Sequence, residues 1–217
     1  MARMLRLLIS LAFLACSGCA ASPATWLHTW GLDPGPRPGD FTVCTAFSCA
    51  ATARTFLEPE EWSRVRDLFE PPPGDAADER VAAARAVGLL EALAGARVGT
   101  AGDRPRDDVG GEDAGQLDCI AEAANTTVYL LLLAREGLLP RHRVATPAHR
   151  GVLVVLSHST AVLEEEGGAT YAVDSWYGAG GEAARVWPLA AWMARDTAGE
   201  LTGAPPIRPE SGARLVP

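Results

Sequence analysis

The sequence QLDC at residues 116–119 begins a region that sets both the fold and the chemistry of this chain. An apolar run follows it, and the chain then carries SHST at 157–160 and AVDSW at 172–176. A cysteine at a predicted helix start is thus followed by a histidine in one predicted strand and an aspartate in the next. A thiolate nucleophile needs a cysteine with a lowered pKa, a base beside it and a group that orients the base. The predicted set is Cys119, His158 and Asp174.

A helix is predicted over residues 119–136. Asp118 is a suitable N-cap, Gly137 is a stop signal, and residues 129–133 are apolar almost all round, which predicts burial on most sides. The positive end of a helix lowers a thiol pKa, and its unbonded amide groups can stabilise an oxyanion. The alternative is that Cys119 is a buried, inert cysteine.

Strands are predicted over 141–145, 152–164 and 169–176, and a glycine turn at 167–168 makes the last two antiparallel. A short helix is predicted from 188 to 195. The amino-terminal half is predicted to form one or two strands over 42–57 and helices over 58–69 and 75–94, the second closed by Gly95 and Gly99.

His158 lies in a polar trio that interrupts an apolar strand, and Asp174 lies in the adjacent strand. An aspartate beside a histidine can fix its tautomer and orientation. His142 and His149 remain alternative bases. Zinc binding by the same three side chains is the rival chemistry, although no Cys-x-x-Cys or His-x-x-x-His pair supports it.

The order Asp-Cys, buried helix, strand histidine and YAVDSW at 171–176 resembles the transglutaminase-like branch of the papain-like cysteine peptidase superfamily. The resemblance covers roughly residues 116–177, and residues 42–193 also resemble a group of proteobacterial exported proteins of unassigned function. It implies an α+β fold with a papain-like core, in which the nucleophile helix packs on an antiparallel β-sheet. It also implies roles for three residues: Cys119 as nucleophile, His158 as general base and acid, and Asp174 as the orienting group.

Other side chains near these three are candidates for a substrate cleft. Gln116 precedes the cysteine and is a candidate for the oxyanion site. Glu122 and Thr126 share the helix face of the cysteine by their i+3 and i+7 spacing, which predicts that they line the cleft. Trp176 and Tyr177 follow the aspartate and are candidates for the wall of the site, with core packing as the alternative.

The amino terminus reads as a secretory signal over residues 1–18, with two arginines before an apolar run at 7–15. Ser-Gly before Cys19 resembles a bacterial lipobox, which predicts that Cys19 is lipidated. Cys16 is the rival lipidation site, and plain secretion with cleavage near Ala21 is the alternative.

Cysteine parity fits this prediction. If Cys19 carries lipid and Cys44 pairs with Cys49, Cys119 is left as the remaining thiol of an exported protein. The alternative is that Cys44 and Cys49 are small buried hydrophobes.

We expect a tether over 19–41, one transglutaminase-like domain over 42–196 and a flexible tail over 197–217. The formal charge of −8 becomes more negative when the two leader arginines are removed, so nucleic acid is not an expected partner.

The predicted function is thiol-dependent amide hydrolysis or acyl transfer on peptides or proteins of the cell envelope, without a cofactor. The protein is expected in the periplasm, bound to the membrane through its lipid. The alternative is a non-catalytic envelope lipoprotein that binds peptides in a papain-like cleft.

Overall fold

The computed structural model describes residues 22–107, 113–151 and 157–195 of the 217-residue chain. It is an α+β fold with helices and two antiparallel sheets. The helices are α1 (Pro23–Thr29), α2 (Pro59–Asp67), α3 (Ala76–Val98), α4 (Cys119–Arg135) and α5 (Leu189–Met193), with a 3₁₀ helix over Phe47–Cys49. The strands are β1 (Phe41–Cys44), β2 (Thr52–Thr55), β3 (His142–Arg150), β4 (His158–Glu165), β5 (Thr170–Asp174) and β6 (Arg185–Pro188).

The larger sheet is antiparallel in the order β3-β4-β5-β6. β4 and β5 form a hairpin with Ala161 opposite Val173, and its turn contains Gly168 at a φ of 85°. Glycine adopts this left-handed conformation without the strain that a Cβ would cause. The antiparallel pairing brings the start of β4 and the end of β5 to the same end of the sheet.

Helix α4 is the centre of the fold and contacts α1, α3, β1, β3, β4 and β5. Every residue from 121 to 130 is buried, so the predicted burial on most sides is confirmed. The helix begins at Cys119 after the N-cap Asp118 and ends beside Gly137, which has a φ of 77°. Local capping signals therefore define both ends of the helix that carries the cysteine.

The smaller sheet is the β1-β2 hairpin, and a disulfide between Cys44 and Cys49 closes its tip. Asn125 of α4 fixes this hairpin, since its Oδ1 accepts from the backbone N–H of Cys44 (2.7 Å) and its Nδ2 donates to the carbonyl of Cys44 (3.0 Å). Ser48 at the tip donates to Oδ2 of Asp118 over 3.0 Å. The hairpin is thus joined to the helix start that carries Cys119.

The predicted tether over 19–41 is wrong in part, because residues 23–29 form α1. The Ser22 hydroxyl caps this helix by accepting from the N–H of Thr25, and Leu27 is completely buried in the core. Trp26 and Trp30 pack edge to face against each other and against the core, rather than lying free. Burial of these apolar side chains stabilises the helix, although proline and glycine residues follow it in the sequence.

The carboxyl-terminal half also differs from the prediction in detail. Strand β3 continues to Arg150, β6 was not predicted, and α3 runs through Gly95 to end before Gly99, whose φ is 89°. Gly95 lies inside α3, and its missing side chain allows the backbone of Ala101 to pass close by. The predicted signal, Cys19 and Cys16, the first part of the strand over 152–164 and the tail over 197–217 lie outside the described residues. Within the described ranges, no helix combines the length and apolarity needed to cross a membrane.

Candidate active site

His158 and Asp174 form a hydrogen-bonded pair at one end of the two central strands of the larger sheet. His158 is the first residue of β4 and Asp174 is the last of β5. The Nε2–H group of His158 donates to Oδ2 of Asp174 over 2.7 Å, and the two residues are only 6% and 2% exposed. A buried aspartate in this position fixes the imidazole tautomer and orientation. It leaves Nδ1 as the ring nitrogen that can exchange a proton with another group.

Cys119 lies beside the residue that precedes His158. Its Sγ is 3.9 Å from the carbonyl oxygen of Ser157, it is 8% exposed, and it is not in a disulfide. The cysteine is the first residue of α4, where the backbone amides of the first turn lack intrahelical acceptors. The structure therefore brings the predicted cysteine, histidine and aspartate into one region.

Both carboxylate oxygens of Asp118 accept hydrogen bonds from groups other than the cysteine thiol. Its Oδ1 accepts from the backbone N–H of Ala121 over 2.9 Å, and its Oδ2 accepts from the Ser48 hydroxyl. Both oxygens are thus occupied by donors of the helix cap and the disulfide-closed turn. Asp118 acts as the N-cap, as the sequence predicts.

Three aromatic rings surround the imidazole of His158. The ring centroids of Trp176, Tyr177 and Trp192 lie 4.6, 5.5 and 5.5 Å from that of His158. Trp192 also donates from its indole Nε1–H to Oδ2 of Asp174 over 2.8 Å. The same carboxylate oxygen therefore accepts from both the imidazole and the indole, while the rings exclude water from the pair.

The loop after α3 packs against this aromatic group. The backbone N–H of Arg106 donates to the carbonyl of Trp176 over 2.8 Å, and Oδ1 of Asp103 accepts from the backbone N–H of Leu117 over 2.7 Å. The described part of this loop thus contacts both the wall of the site and the chain leading to Cys119.

Gln116 binds the same loop through both ends of its side-chain amide. Its Nε2 donates to the carbonyl of Gly102 and its Oε1 accepts from the N–H of Arg104, both at 3.0 Å. Both ends of the side chain are therefore in use, which gives Gln116 a structural role. The remainder of the loop, residues 108–112, lies outside the described residues.

Glu122 and Thr126, which the sequence predicts to line the cleft, are buried side chains next to Ser175. They are 4% and 0% exposed. The Ser175 hydroxyl donates to Oε2 of Glu122 over 2.5 Å and lies 2.8 Å from the hydroxyl of Thr126. Helical spacing correctly placed both residues on the same face of α4 as Cys119. Beyond the first helical turn, this face packs against the core.

Glu122 belongs to a buried carboxyl cluster formed with Glu91 of α3 and Asp103 of the loop. The three side chains border a small cavity of about 10 Å³, close to the space needed for one water molecule. Oε1 of Glu91 is buried and has no hydrogen-bond partner among the described residues. The cluster adjoins Ser175, the residue directly after Asp174.

Burial raises the pKa of every member of the carboxyl cluster. It raises the pKa of Glu91 to about 7, with the nearby Ser175 hydroxyl offsetting only part of the effect. Burial, together with the charge of Glu91, raises the pKa of Glu122 well above its ordinary value. Burial likewise raises the pKa of Asp103, against the opposing bond from the backbone of Leu117. Glu91 therefore keeps its proton to a higher pH than an ordinary glutamate does, and the pKa values of Glu122 and Asp103 are shifted in the same direction.

The alternative bases lie elsewhere or have other partners. His142 lies opposite Glu165, at the far end of the β3-β4 pair, and its Nδ1 is 2.8 Å from Oε1 of the fully buried Glu79. His149 is exposed, with its Nδ1 3.1 Å from the hydroxyl of Ser159. Neither side chain is bonded to Asp174, which distinguishes His158 from both.

Sequence reasoning did not identify Trp192, Arg150 or Ser175 as parts of this site. Arg150 lies opposite His158 on β3, donates to the Tyr177 hydroxyl (2.9 Å) and to the carbonyl of Trp192, and stacks over the Trp192 ring at 4.1 Å. No spacing rule marks these contacts, because they come from packing between separate elements. The position of Arg150 opposite His158 could be predicted only if the register between β3 and β4 were known.

Comparisons with protein-family models, with curated proteins and with solved structures gave no match to this chain. In the described part of the chain, no group of three or more histidine, cysteine, aspartate or glutamate side chains is arranged to hold a metal ion. The functional interpretation therefore depends on the geometry of the site.

Proposed function

We propose that this protein is an exported, thiol-dependent amide hydrolase or acyl transferase with a papain-like, transglutaminase-related core. The observation that carries the proposal is the 2.7 Å bond between His158 and the buried Asp174, next to a cysteine at a helix start. In a thiol nucleophile of this kind the cysteine attacks, the histidine acts as its base and a third group orients the histidine.

The reaction follows from the positions of these groups. Cys119 gives its proton to His158, and its sulfur attacks the amide carbonyl to form a tetrahedral oxyanion, which amides at the start of α4 are placed to stabilise. The carbon–nitrogen bond breaks as the imidazolium gives its proton to the leaving amine, and a thioester remains. Water then adds to the thioester carbonyl as its proton passes to His158. The carbon–sulfur bond breaks, the carboxylic acid leaves, and His158 returns the proton to the sulfur of Cys119. An amine in place of water gives acyl transfer.

The proposed setting is the cell envelope. A leader over residues 1–18 would direct export, and a lipid on Cys19 would hold the domain at a membrane. The disulfide between Cys44 and Cys49 is compatible with an oxidising compartment. Candidate substrates are envelope proteins and the peptides of peptidoglycan.

The test is incubation of the purified protein with mixed envelope peptides, including soluble peptidoglycan fragments. Mass spectrometry should detect cleavage products and an acyl adduct at Cys119. Cys119→Ala should abolish both, and His158→Ala should slow product formation by about 10²-fold or more. His149→Ala, which removes the exposed alternative base, is the control and should leave the rate unchanged. Equal product formation by a folded Cys119→Ala variant would disprove the proposal.

A further inference from the structure

Ser175 lies between the aspartate of the candidate site and two of the rings around the imidazole. Asp174, the last residue of β5, precedes it. Trp176 and Tyr177 follow it, and their ring centroids lie 4.6 and 5.5 Å from that of His158. The position of the Ser175 backbone therefore affects three of the side chains that contact the imidazole.

The Ser175 hydroxyl binds α4 through two hydrogen bonds. It donates to Oε2 of Glu122 over 2.5 Å, and its oxygen lies 2.8 Å from the hydroxyl oxygen of Thr126. A hydroxyl has one proton to donate, so Ser175 accepts from Thr126 while it donates to Glu122. All three residues are buried, with Ser175 6% exposed, so these bonds are protected from competition by water.

These two bonds join the strand of the aspartate to the helix of the nucleophile. Glu122 and Thr126 follow Cys119 by three and seven residues on one face of α4. At a rise of about 1.5 Å per residue, Glu122 lies about 4.5 Å along the helix axis from Cys119. The hydroxyl of Ser175 thus fixes the end of β5 against the first two turns of α4.

Side chains hold the end of β5 where its pairing with β4 stops. The register between these strands ends at the pair Ala161–Val173, one residue before Asp174, which remains paired with β6. Beside this last pair, the hydroxyl of Thr160 donates to the carbonyl of Val173 over 3.0 Å. Since backbone pairing with the histidine strand stops before the aspartate, the bonds of Ser175 supply the next attachment along the chain.

We infer that Ser175 is a positioning residue for the thiol chemistry, because it holds Asp174 in the place that orients His158 toward the nucleophile helix. The inference rests on the proposed function and adds a residue to it. The effect of Ser175 passes through the 2.7 Å bond between Asp174 and Nε2 of His158. An imidazole in a fixed orientation stabilises a neighbouring thiolate, and small displacements of such groups lower reactivity strongly.

The test is the pH profile of Cys119 alkylation by iodoacetamide in the full chain, compared between the parent protein and Ser175→Ala. The thiolate sulfur displaces iodide, so the rate follows the fraction of thiolate. At pH ~6.5 we expect Ser175→Ala to react about tenfold more slowly than the parent protein. At pH ~9.5, where an ordinary thiol is ionised, we expect equal rates. A loss of packing alone would change both rates together.

Ser159→Ala is the matched control for this substitution. Ser159 follows His158 as Ser175 follows Asp174, and both serines are 6% exposed. The Ser159 hydroxyl, however, lies 3.1 Å from Nδ1 of the exposed His149. Ser159→Ala should therefore keep the pH profile of the parent protein.

Two substitutions of Thr126 keep the inference testable if Ser175→Ala does not fold. Thr126→Val replaces the hydroxyl that bonds Ser175 by a methyl group and should slow alkylation about twofold or more at pH ~6.5. Thr126→Ser keeps the hydroxyl and should retain the parent profile. Equal profiles of these two variants would overturn the inference.

A second measurement observes the imidazole directly. Nitrogen NMR distinguishes the two neutral tautomers of histidine, and the signal of His158, one of four histidines, is the one that His158→Ala removes. The parent protein should show the Nε2–H tautomer that the bond to Asp174 requires. Ser175→Ala should show a mixture of tautomers, whereas Ser159→Ala should not.

The outcomes separate this inference from the proposed function. A parent protein that reacts fast well below pH ~8.5, with the same profile and tautomer in Ser175→Ala and Ser159→Ala, would overturn the positioning role and retain the thiol chemistry. Equal slowing of Ser175→Ala at both pH values would also overturn the positioning role, since it would show a loss of packing. A parent Cys119 that reacts only after the protein unfolds would overturn both.

Discussion

Oδ2 of Asp174 accepts two hydrogen bonds, one from His158 Nε2 (2.7 Å) and one from Trp192 Nε1 (2.8 Å). The carboxylate is therefore joined to the imidazole on one side and to α5 on the other. Because Asp174 is 2% exposed, these donors replace water as the groups that stabilise its charge. The position of the imidazole thus depends on an element far from Cys119 in the sequence.

Removing the indole donor should weaken this arrangement. Trp192→Phe keeps an aromatic ring but leaves the carboxylate with one donor fewer, so the free energy of unfolding should fall by about 1–3 kcal/mol. Alkylation of Cys119 should also become slower. Urea denaturation and iodoacetamide kinetics measure the two effects.

Trp187→Phe is the matched control for that substitution. Trp187 is 3% exposed, and its indole Nε1 is buried with no hydrogen-bond partner among the described residues. Its replacement removes an unsatisfied donor and should cost less than Trp192→Phe. If Trp187→Phe proved the more destabilising of the two, the indole bond to Asp174 would not have the stabilising role assigned here.

The carboxyl cluster makes stability depend on pH in a defined direction. Burial raises the pKa of Glu91 to about 7, above the value of about 4.3 for an unfolded chain. The stability linked to its proton is complete below pH ~4.3 and is lost as the pH rises to about 7, since only the unfolded state ionises in this interval. Glu91→Gln should flatten the stability profile there, by up to about 1.4 kcal/mol per pH unit.

Urea denaturation at a series of pH values measures this slope. Glu60→Gln, on the exposed side of α2, is the control and should reproduce the profile of the parent protein. A Glu91→Gln profile that is as steep as that of the parent would show that Glu91 does not hold its proton in the folded state.

Asn125 should be one of the costliest single polar residues to remove. It satisfies both the N–H and the carbonyl of Cys44, which is completely buried. Asn125→Leu should lower the free energy of unfolding by about 2–5 kcal/mol, because two backbone groups lose their partner. Thr127→Val is the control, since Thr127 donates only to the Ala123 carbonyl of its own helix, and it should cost less than about 1 kcal/mol. Equal costs in denaturation would contradict this account of the hairpin attachment.

The disulfide between Cys44 and Cys49 should contribute modestly to stability. It closes a loop with a sequence separation of 5, so replacing both cysteines by alanine should cost about 2 kcal/mol. A reductant should lower the stability of the parent protein to the level of the double variant and leave the variant unchanged. A parent protein whose unfolding is insensitive to reductant would show that the disulfide is not formed in solution.

The sequence predicts α4 well because its signals are local. Asp118 and Gly137 mark the ends, and an apolar run marks the burial. Cys119 was placed by the same helix start. The chain order of histidine, glycine turn and aspartate then predicts two antiparallel strands, which is the arrangement observed.

Other features depend on packing that no local signal encodes. The register that brings His158 within hydrogen-bonding distance of Asp174 is set by which faces of β4 and β5 enter the core. Trp192 reaches Asp174 only because α5 folds back on β5. The helix over residues 23–29 did have a local signal, a serine before a proline, but the proline-rich segment after it suggested a tether. The helix over residues 23–29 packs against the core, and this packing is a tertiary contact that the local sequence does not reveal.

The central claim is that Cys119 and His158 act as a poised nucleophile and base. The most direct test is the pH dependence of Cys119 alkylation by iodoacetamide in the folded protein, with His158→Ala measured alongside. We expect fast alkylation that persists well below pH ~8.5, where an ordinary cysteine is mostly protonated, and that depends on His158. Alkylation that is slow at every pH until the protein unfolds, or that is identical in His158→Ala, would contradict the claim.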